Sequence, residues 1–236
     1  YASKLITKFK LKKKEKILDI ACNDGTFLKQ FIKKGFSNII GVEPAKNLRK
    51  HNKKINIDIN TFFFDFNTIN KLKKKYKSFK IISANNVCAH IPSINSFVKG
   101  IENIMNKESI FVFEVSYLMD VYKKMTFDTI YHEHVSYHSL KPLLFFFKKY
   151  NLEVFDFDLI KAQGGSIRVY VSKKDHQLVK TKKIYNQIKK EEQINLFKKE
   201  TFKKYYSKIK KEKIKLNKLI KSLKENKERI VGFGAP

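Results

Sequence analysis

The stretch Lys16-Ile-Leu-Asp-Ile-Ala-Cys-Asn-Asp-Gly25 joins a short apolar run to a turn that ends in glycine. An apolar run bounded by a turn predicts a buried strand, and residues 26–34 that follow have apolar side chains at helical spacing. Glycine between a strand and a helix lets the backbone approach a ligand closely. We therefore predict a strand–turn–helix unit whose turn binds a cofactor. The candidate residues are Asp19, Ala21, Asn23 and Gly25.

Strand-like and helix-like segments alternate beyond this unit, which predicts a parallel, doubly wound sheet. Two further strand-like segments follow a helical one near residue 140 and close the sheet. A parallel five-stranded core with a final strand pair is the sheet plan of class I S-adenosylmethionine-dependent methyltransferases. We therefore expect an α/β fold with strand order 3-2-1-4-5-7-6. The predicted strands are 16–20, 38–42, 57–64, 79–84, 109–115, 152–159 and 166–172, and the predicted helices include 26–34, one beginning at Pro44, 93–105 and 140–150.

Lysine dominates the charge of the 236 residues, with 51 Lys and Arg against 22 Asp and Glu, a net charge of +29. These lysines are spread along the chain and arginine is rare, whereas nucleic-acid surfaces combine arginine with aromatic residues. Compositional drift therefore explains the charge better than a nucleic-acid face does. The two cysteines are far apart, and no apolar run is long enough to span a membrane. We expect a cytoplasmic protein without a membrane partner; the sequence gives no oligomeric state.

A second cofactor contact is predicted at Glu43, about twenty residues beyond the glycine turn and at the end of the second strand. A carboxylate at this position accepts hydrogen bonds from ribose hydroxyls. The Gly-x-Gly-x-x-Gly pattern of nicotinamide enzymes is missing. Asp65, at the end of the third predicted strand, is our candidate for the adenine amino group. The alternative is a plain strand–turn–helix unit with Glu43 on the surface and Asp65 solvated.

A second polar group, Asn85, Asn86 and His90, follows the fourth predicted strand. In a sheet of order 3-2-1-4-5 this strand lies beside the first one at the topological switch point, where ligands bind. We therefore predict that Asn85 contacts the cofactor and that Asn86 and His90 border the group to be transferred.

A third group is the segment Phe127-Asp-Thr-Ile-Tyr-His-Glu-His134. A zinc protease would show His-Glu-x-x-His, and this segment does not, so we expect no metal. Histidine titrates near neutral pH, and a neighbouring carboxylate can orient its ring. Tyr131, Glu133 and His134 are therefore candidates for proton transfer.

Taken in order, these motifs resemble the deoxysugar C-methyltransferase family. The resemblance rests on Asn-Asp-Gly-Thr, Gly-Val-Glu-Pro, Ala-Asn-Asn-Val-x-Ala-His-Ile-Pro, Phe-Asp-Thr-Ile-Tyr-His-Glu-His, Gly-Gly-Ser-Ile-Arg-Val-Tyr and Gly-Phe-Gly-Ala-Pro. Members methylate nucleotide-diphosphate-linked 4-keto sugars at C3. The resemblance implies S-adenosylmethionine as cofactor and a nucleotide sugar as substrate. Ala21 departs from the pattern, because many class I enzymes have a glycine there.

The resemblance also implies roles for individual residues. His134 matches the base that removes the C3 proton, with Glu133 and Tyr131 beside it. His90, with Asn86, matches the donors to the enolate oxygen. Gly165, Ser166 and Arg168 match an element near the substrate; the alternative is a tight turn that enters an edge strand.

We expect three parts: a cofactor-binding domain at residues 1–175, a lysine-rich helical linker at 176–228, and the start of a truncated C-terminal substrate domain at 229–236. We also expect the family's N-terminal zinc domain to be missing. Two other functions stay open. One is an RNA or other small-molecule methyltransferase, and the other is an inactive relic that binds the cofactor.

Overall fold

A computed structural model describes residues 1–176 and 178–232. Its centre is a seven-stranded sheet with the order β3-β2-β1-β4-β5-β7-β6, which confirms the predicted topology. The first five strands run parallel, and β7 and β6 are antiparallel additions beside β5. The strands are β1 (Ile17–Ile20), β2 (Ile39–Val42), β3 (Asp58–Asn60), β4 (Ile81–Asn85), β5 (Ile110–Ser116), β6 (Leu152–Ile160) and β7 (Ser166–Lys173).

Helices cover both faces of the sheet, which is how a parallel sheet buries its apolar side chains. One face packs against α4, α5 and α7, and the other packs against α1 and α2. The short helices α1, α4 and α6 were not among the sequence predictions. The helices are α1 (Ala2–Lys8), α2 (Thr26–Ile32), α3 (Arg49–Lys54), α4 (Ile69–Tyr76), α5 (Ile94–Ile104), α6 (Leu118–Lys124), α7 (Leu140–Lys148), α8 (Lys182–Gln193) and α9 (Lys199–Glu225).

The third strand is shorter than predicted. It ends at Asn60, so the prediction of a strand at 57–64 was wrong beyond that residue. β3 is an edge strand whose neighbour is β2, and the last register pair joins Val42 to Asn60. Beyond that pair the backbone has no strand to bond, so the chain turns away. Phe64 packs instead on Phe97 of α5, with ring centroids 5.3 Å apart.

The lysine-rich segment forms a helix pair. The first helix, α8, contacts α7 and β6, and only Thr201 and Tyr205 of α9 are buried. Within the described ranges, no helix has the length and apolar character needed to cross a membrane. The domain division at residues 175 and 228 stays a prediction, and residues 233–236 of its last part lie outside the described residues.

Candidate active site

The cofactor turn, residues 19–25, leaves β1 in an unusual backbone conformation. Ala21, Asn23 and Gly25 have φ angles of 54°, 50° and 75°. Non-glycine residues adopt this region at a cost, and such positions cluster at functional sites. The conformational cost at Ala21 arises because this chain has alanine at a position where many class I enzymes have glycine. The predicted turn is therefore present, and alanine adopts the conformation that glycine would adopt without strain.

Glu43 lies at the end of β2 and is 8% exposed. One carboxylate oxygen accepts a hydrogen bond from the Asn23 amide at 2.9 Å, and the other accepts one from the Ala45 amide at 2.9 Å. Glu43 thus ties the cofactor turn to β2. Each oxygen keeps a further lone pair, so the carboxylate can still accept hydrogen bonds from a ligand's hydroxyls.

Asp19 and Asn85 meet because β1 and β4 are neighbours in the sheet. The Asp19 carboxylate accepts hydrogen bonds from the Ser83 hydroxyl at 2.7 Å and from the Asn85 amide at 3.4 Å. Burial raises the pKa of Asp19 from 3.8 to about 7, although these hydrogen bonds act in the opposite direction. The amide oxygen of Asn85 is buried and has no hydrogen-bond partner. A cationic donor would satisfy both groups.

Asp65 lies five residues beyond the end of β3, so its expected position at a strand end was wrong. Its carboxylate accepts hydrogen bonds from the backbone amide of Thr68 at 2.8 Å and from the Thr68 hydroxyl at 3.0 Å. These contacts close the turn that precedes α4. The predicted contact of Asp65 with adenine stays a prediction.

A cavity of about 290 Å³ opens beside β4 and β5. It brings together four of the predicted residues, which come from segments far apart in the sequence. The lining residues are Asn86, Ala89, His90, Val115, Ser116, Asp128, Thr129, Tyr131 and His134. The segment 126–139, here called the His134 loop, has little regular structure beyond a 3₁₀ turn at Phe127–Thr129.

The two cavity histidines are oriented by backbone carbonyls. Nδ1 of His134 is 2.7 Å from the Thr129 carbonyl oxygen, and Nδ1 of His90 is 3.0 Å from the Glu133 carbonyl oxygen. A carbonyl only accepts hydrogen bonds, so each Nδ1 carries a proton and each neutral ring keeps its lone pair on Nε2. The ring centroids are 4.8 Å apart.

Glu133 does not orient His134, so that part of the sequence prediction was wrong. Its exposed carboxylate is 3.4 Å from the Tyr131 hydroxyl, and Glu133 is not among the residues that line the cavity. The loop brings the Thr129 carbonyl within hydrogen-bond distance of His134 Nδ1, so this carbonyl orients the ring in place of the Glu133 carboxylate. A direct catalytic role for Glu133 stays a prediction.

The Gly165, Ser166 and Arg168 element has structural contacts that need no ligand. An added Cβ on Gly165 would lie 2.1 Å from a carboxylate oxygen of Asp120, and its φ is 132°. Ser166 is fully buried. The Arg168 guanidinium donates to the Glu114 carboxylate at 2.6 and 2.9 Å and stacks 3.5 Å from the Tyr1 ring centroid. The strand it belongs to lies between β5 and β6, so the alternative of an edge strand was wrong. Contact with substrate stays a prediction.

Sequence reasoning missed three polar residues of the cavity, Ser116, Asp128 and Thr129, besides the apolar Ala89 and Val115. Asp128 and Thr129 belong to the quoted segment of the His134 loop, and their position there was the available signal. No sequence signal pointed to Ser116, because a serine at the end of a strand is common. Among the described residues, no group of three or more His, Cys, Asp or Glu side chains is arranged to bind a metal.

The comparisons with known proteins agree with this geometry. A family model described as "Methyltransferase domain" matches residues 1–156, and one described as "C-methyltransferase C-terminal domain" matches residues 161–236. C-methyltransferase NovU of Streptomyces niveus is 29% identical over 156 residues, which cover 66% of this chain. The matched part spans 37% of that relative's length.

Solved structures share the fold at low sequence identity. Magnesium protoporphyrin IX methyltransferase from Synechocystis PCC 6803, solved with bound SAH, has a TM-score of 0.55 and 9% identity, over 72% of this chain and 79% of that one. A SAM-dependent methyltransferase from Anabaena variabilis has a TM-score of 0.56 and 12% identity, over 73% and 83%. The fold is therefore that of class I methyltransferases.

The family follows from the sequence match. Because the first model covers residues 1–156, more than half of the chain, the protein belongs to the methyltransferase domain family. S-adenosylmethionine is the cofactor that this family and fold imply.

Proposed function

We propose that the protein is an S-adenosylmethionine-dependent C-methyltransferase that acts at C3 of a nucleotide-linked 4-keto deoxysugar. The observation that carries the proposal is the 2.7 Å contact between His134 Nδ1 and the Thr129 carbonyl in a cavity that Asn86 also lines, directly after the Asn85 that bonds Asp19. It leaves a basic nitrogen available at Nε2. The C-terminal family match and the relative NovU support transfer to carbon, and the sequence motifs support the sugar.

The residues at the carboxyl ends of the first strands fit the cofactor. S-adenosylmethionine, when bound, supplies an electrophilic methyl group on a sulfonium. Glu43 would accept hydrogen bonds from its ribose hydroxyls. Asp19 and the amide oxygen of Asn85 would accept hydrogen bonds from its ammonium group, because both are buried and the Asn85 oxygen has no partner among the described residues. Asp65 remains our candidate for the adenine amino group.

His134 would act as the general base. A hydrogen on carbon next to a ketone is acidic enough for an imidazole to remove, because the charge moves to the carbonyl oxygen. Nε2 of His134 accepts this proton, while the Thr129 carbonyl keeps the ring in one tautomer. The electron pair at C3 would then form the new carbon–carbon bond to the methyl group as the sulfur–methyl bond breaks, which would release S-adenosylhomocysteine and restore the C4 ketone.

The enolate oxygen needs a hydrogen-bond donor that is already in position. His90 donates from Nδ1 to the Glu133 carbonyl, so its neutral form presents only a lone pair at Nε2. It can stabilise the enolate only as an imidazolium. Asn86, which also lines the cavity, can donate through its amide in any case. We therefore assign Asn86 as the donor to the enolate oxygen, and His90 remains a candidate for the same role.

The cavity suits a small substrate. Ligand pockets are commonly roughly 300–1,000 Å³, and this one, at about 290 Å³, can enclose a reacting ring but not a macromolecule. Alignment of two bound molecules accounts for much of the rate enhancement in such a site.

Exchange of the C3 hydrogen with solvent tests the base directly. A nucleoside-diphosphate-linked 4-keto deoxysugar is incubated in D₂O with S-adenosylhomocysteine, and loss of the C3 proton signal is followed by NMR. We expect His134→Asn to slow the exchange by about 10²–10⁴-fold, the usual contribution of a general base. His132→Asn is the matched control, since His132 is exposed and does not line the cavity.

With S-adenosylmethionine present, wild-type protein should give a product methylated at C3. Exchange that is as fast in His134→Asn as in wild type would refute the base assignment. A methyl group found on oxygen or nitrogen would refute C-methylation.

A further inference from the structure

Glu191 of α8 is a fully buried carboxylate without a cationic partner among its described contacts. It accepts hydrogen bonds from the Leu140 amide at 2.7 Å and the Lys141 amide at 3.0 Å, the first two amides of α7. Ser139, the residue before α7, makes no side-chain cap. Glu191 therefore supplies from another helix the cap that the α7 sequence lacks, and the positive end of α7 favours its charge.

The Glu191 carboxylate also binds Tyr117, the residue that follows β5. The Tyr117 hydroxyl donates to Glu191 at 2.6 Å and accepts from the Gln187 amide at 2.9 Å. Tyr117 follows Ser116 directly, and Ser116 lines the cavity. Burial and the neighbouring carboxylate raise the pKa of Tyr117, so its hydroxyl stays protonated and donates.

These contacts reach the second half of the His134 loop. The Leu118 amide donates to the His138 carbonyl at 2.9 Å, and Tyr117 and His138 form a bridge between their backbones. On the other side, the Val135 amide donates to the Ala89 carbonyl at 2.9 Å. Residues 135–141 are thus fixed between the segment after β4, the segment after β5, and α8.

We propose that Glu191 is a positioning residue that holds the His134 loop in its reactive geometry. The proposal rests on the proposed function for its catalytic consequence. A displacement of about 1 Å in a catalytic group can lower a rate by about 100-fold. Glu191 joins α8 to Tyr117 and to the first two residues of α7 through three hydrogen bonds, so it can oppose such a displacement. The lysine-rich segment then contributes to the active site rather than only joining domains.

Hydrogen–deuterium exchange of the whole chain, followed by mass spectrometry, tests the proposal independently of activity. We expect Glu191→Gln to speed exchange in peptides that cover residues 127–141 and to leave residues 17–25 unchanged. Glu192→Gln is the matched control, since Glu192 is the next residue on α8 and forms an exposed ion pair with Lys141. It should leave both regions as in wild type.

Tyr117→Phe provides a milder variant, because it removes one of the three hydrogen bonds to Glu191, together with the bond from Gln187, and leaves the two backbone amides on Glu191. It should produce a smaller change in the same peptides. Wild-type exchange at 127–141 in both Tyr117→Phe and Glu191→Gln would overturn the proposal. So would faster exchange spread equally over the chain, which would indicate only a loss of stability.

Kinetics add a second readout. Glu191→Gln should lower kcat by about 10–100-fold, as is usual for groups that orient a functional side chain, with the Kd for S-adenosylhomocysteine unchanged. A fall in cofactor binding equal to the fall in kcat would contradict positioning. If wild-type protein shows no C3 exchange, the proposed function fails, whereas the amide-exchange result still decides whether Glu191 holds the loop.

Discussion

The cofactor turn follows β1 and the His134 loop lines the cavity beside β4 and β5, and the two are organised in different ways. In the cofactor region, side chains meet because strand register brings them together: Asp19 bonds Ser83, which is its register partner on β4. In the His134 loop, the ring of His134 is oriented by a backbone carbonyl five residues away, and α8 contacts the first residues of α7, directly after the loop.

This difference shows that a sequence motif can determine the position of the cofactor site, whereas the geometry of the His134 loop depends on contacts from other elements. Strand order and a glycine turn are sufficient to place a cofactor site. A loop without regular structure needs bonds from other elements before its side chains have one geometry. We therefore expect changes near β1 and β2 to affect cofactor binding, and changes around the His134 loop to affect chemistry or stability.

The largest expected effect concerns Arg168, whose guanidinium pairs with Glu114 in a buried site. Arg168→Met leaves the Glu114 carboxylate buried without its partner, so the free energy of unfolding should fall by about 3–5 kcal/mol. Urea denaturation measures this loss. An exposed pair provides the control: Lys215→Met, which removes a partner of Glu212, should change stability by less than about 1 kcal/mol.

The double variant Glu114→Leu with Arg168→Met separates structure from substrate binding. Replacing both charges by apolar groups should recover most of the lost stability. If turnover also recovers, Arg168 is structural. If the double variant is stable but its KM for the sugar rises strongly, Arg168 contacts substrate as the resemblance implies.

A smaller effect is expected from the pH dependence of Asp19, whose pKa is raised to about 7 by burial. The free protein therefore holds a neutral carboxyl at pH 6, while the ammonium group of the cofactor binds the charged form. Affinity for S-adenosylhomocysteine should rise by about tenfold between pH 6 and pH 8, one pKa unit being a factor of ten. Asp19→Asn should abolish this slope, and a slope that survives in Asp19→Asn would show that another group titrates.

The raised pKa of Asp19 also determines how the free energy of unfolding changes with pH. The folded state retains the Asp19 proton in a range where the unfolded chain has lost it, since the ordinary pKa is 3.8. The contribution of Asp19 to the free energy of unfolding therefore falls as pH rises from about 4 to about 7.

Much of the fold could be predicted from the sequence, because alternating strand and helix patterns determine a parallel sheet. The exception at β3 shows the limit of local pattern. Residues 62–64 are apolar and strand-like, but β2 ends at Val42 and offers them no partner. Helix α4 was missed for a related reason, since lysines dominate it and only Ile69, Leu72 and Tyr76 are buried.

The site could be predicted only in part. Asn86, His90, Tyr131 and His134 share the cavity, and the motifs singled out all four. The prediction that Glu133 orients His134 was wrong, because a backbone carbonyl orients the ring. Every residue has a backbone carbonyl, so the sequence does not indicate which one makes such a contact. Glu191 lies more than fifty residues beyond the His134 loop in an ordinary lysine-rich helix, so no local pattern could identify it.

We expect cofactor binding and proton removal to depend on separable regions of the molecule, and calorimetric titration with S-adenosylhomocysteine can decide this. Wild type, Glu43→Ala and His134→Asn would be measured in parallel. We predict that His134→Asn binds as wild type does, whereas Glu43→Ala binds about 100-fold more weakly, since it loses two charge-assisted hydrogen bonds of about 1.5 kcal/mol each. Equal losses in the two variants, or wild-type affinity in Glu43→Ala, would contradict the account.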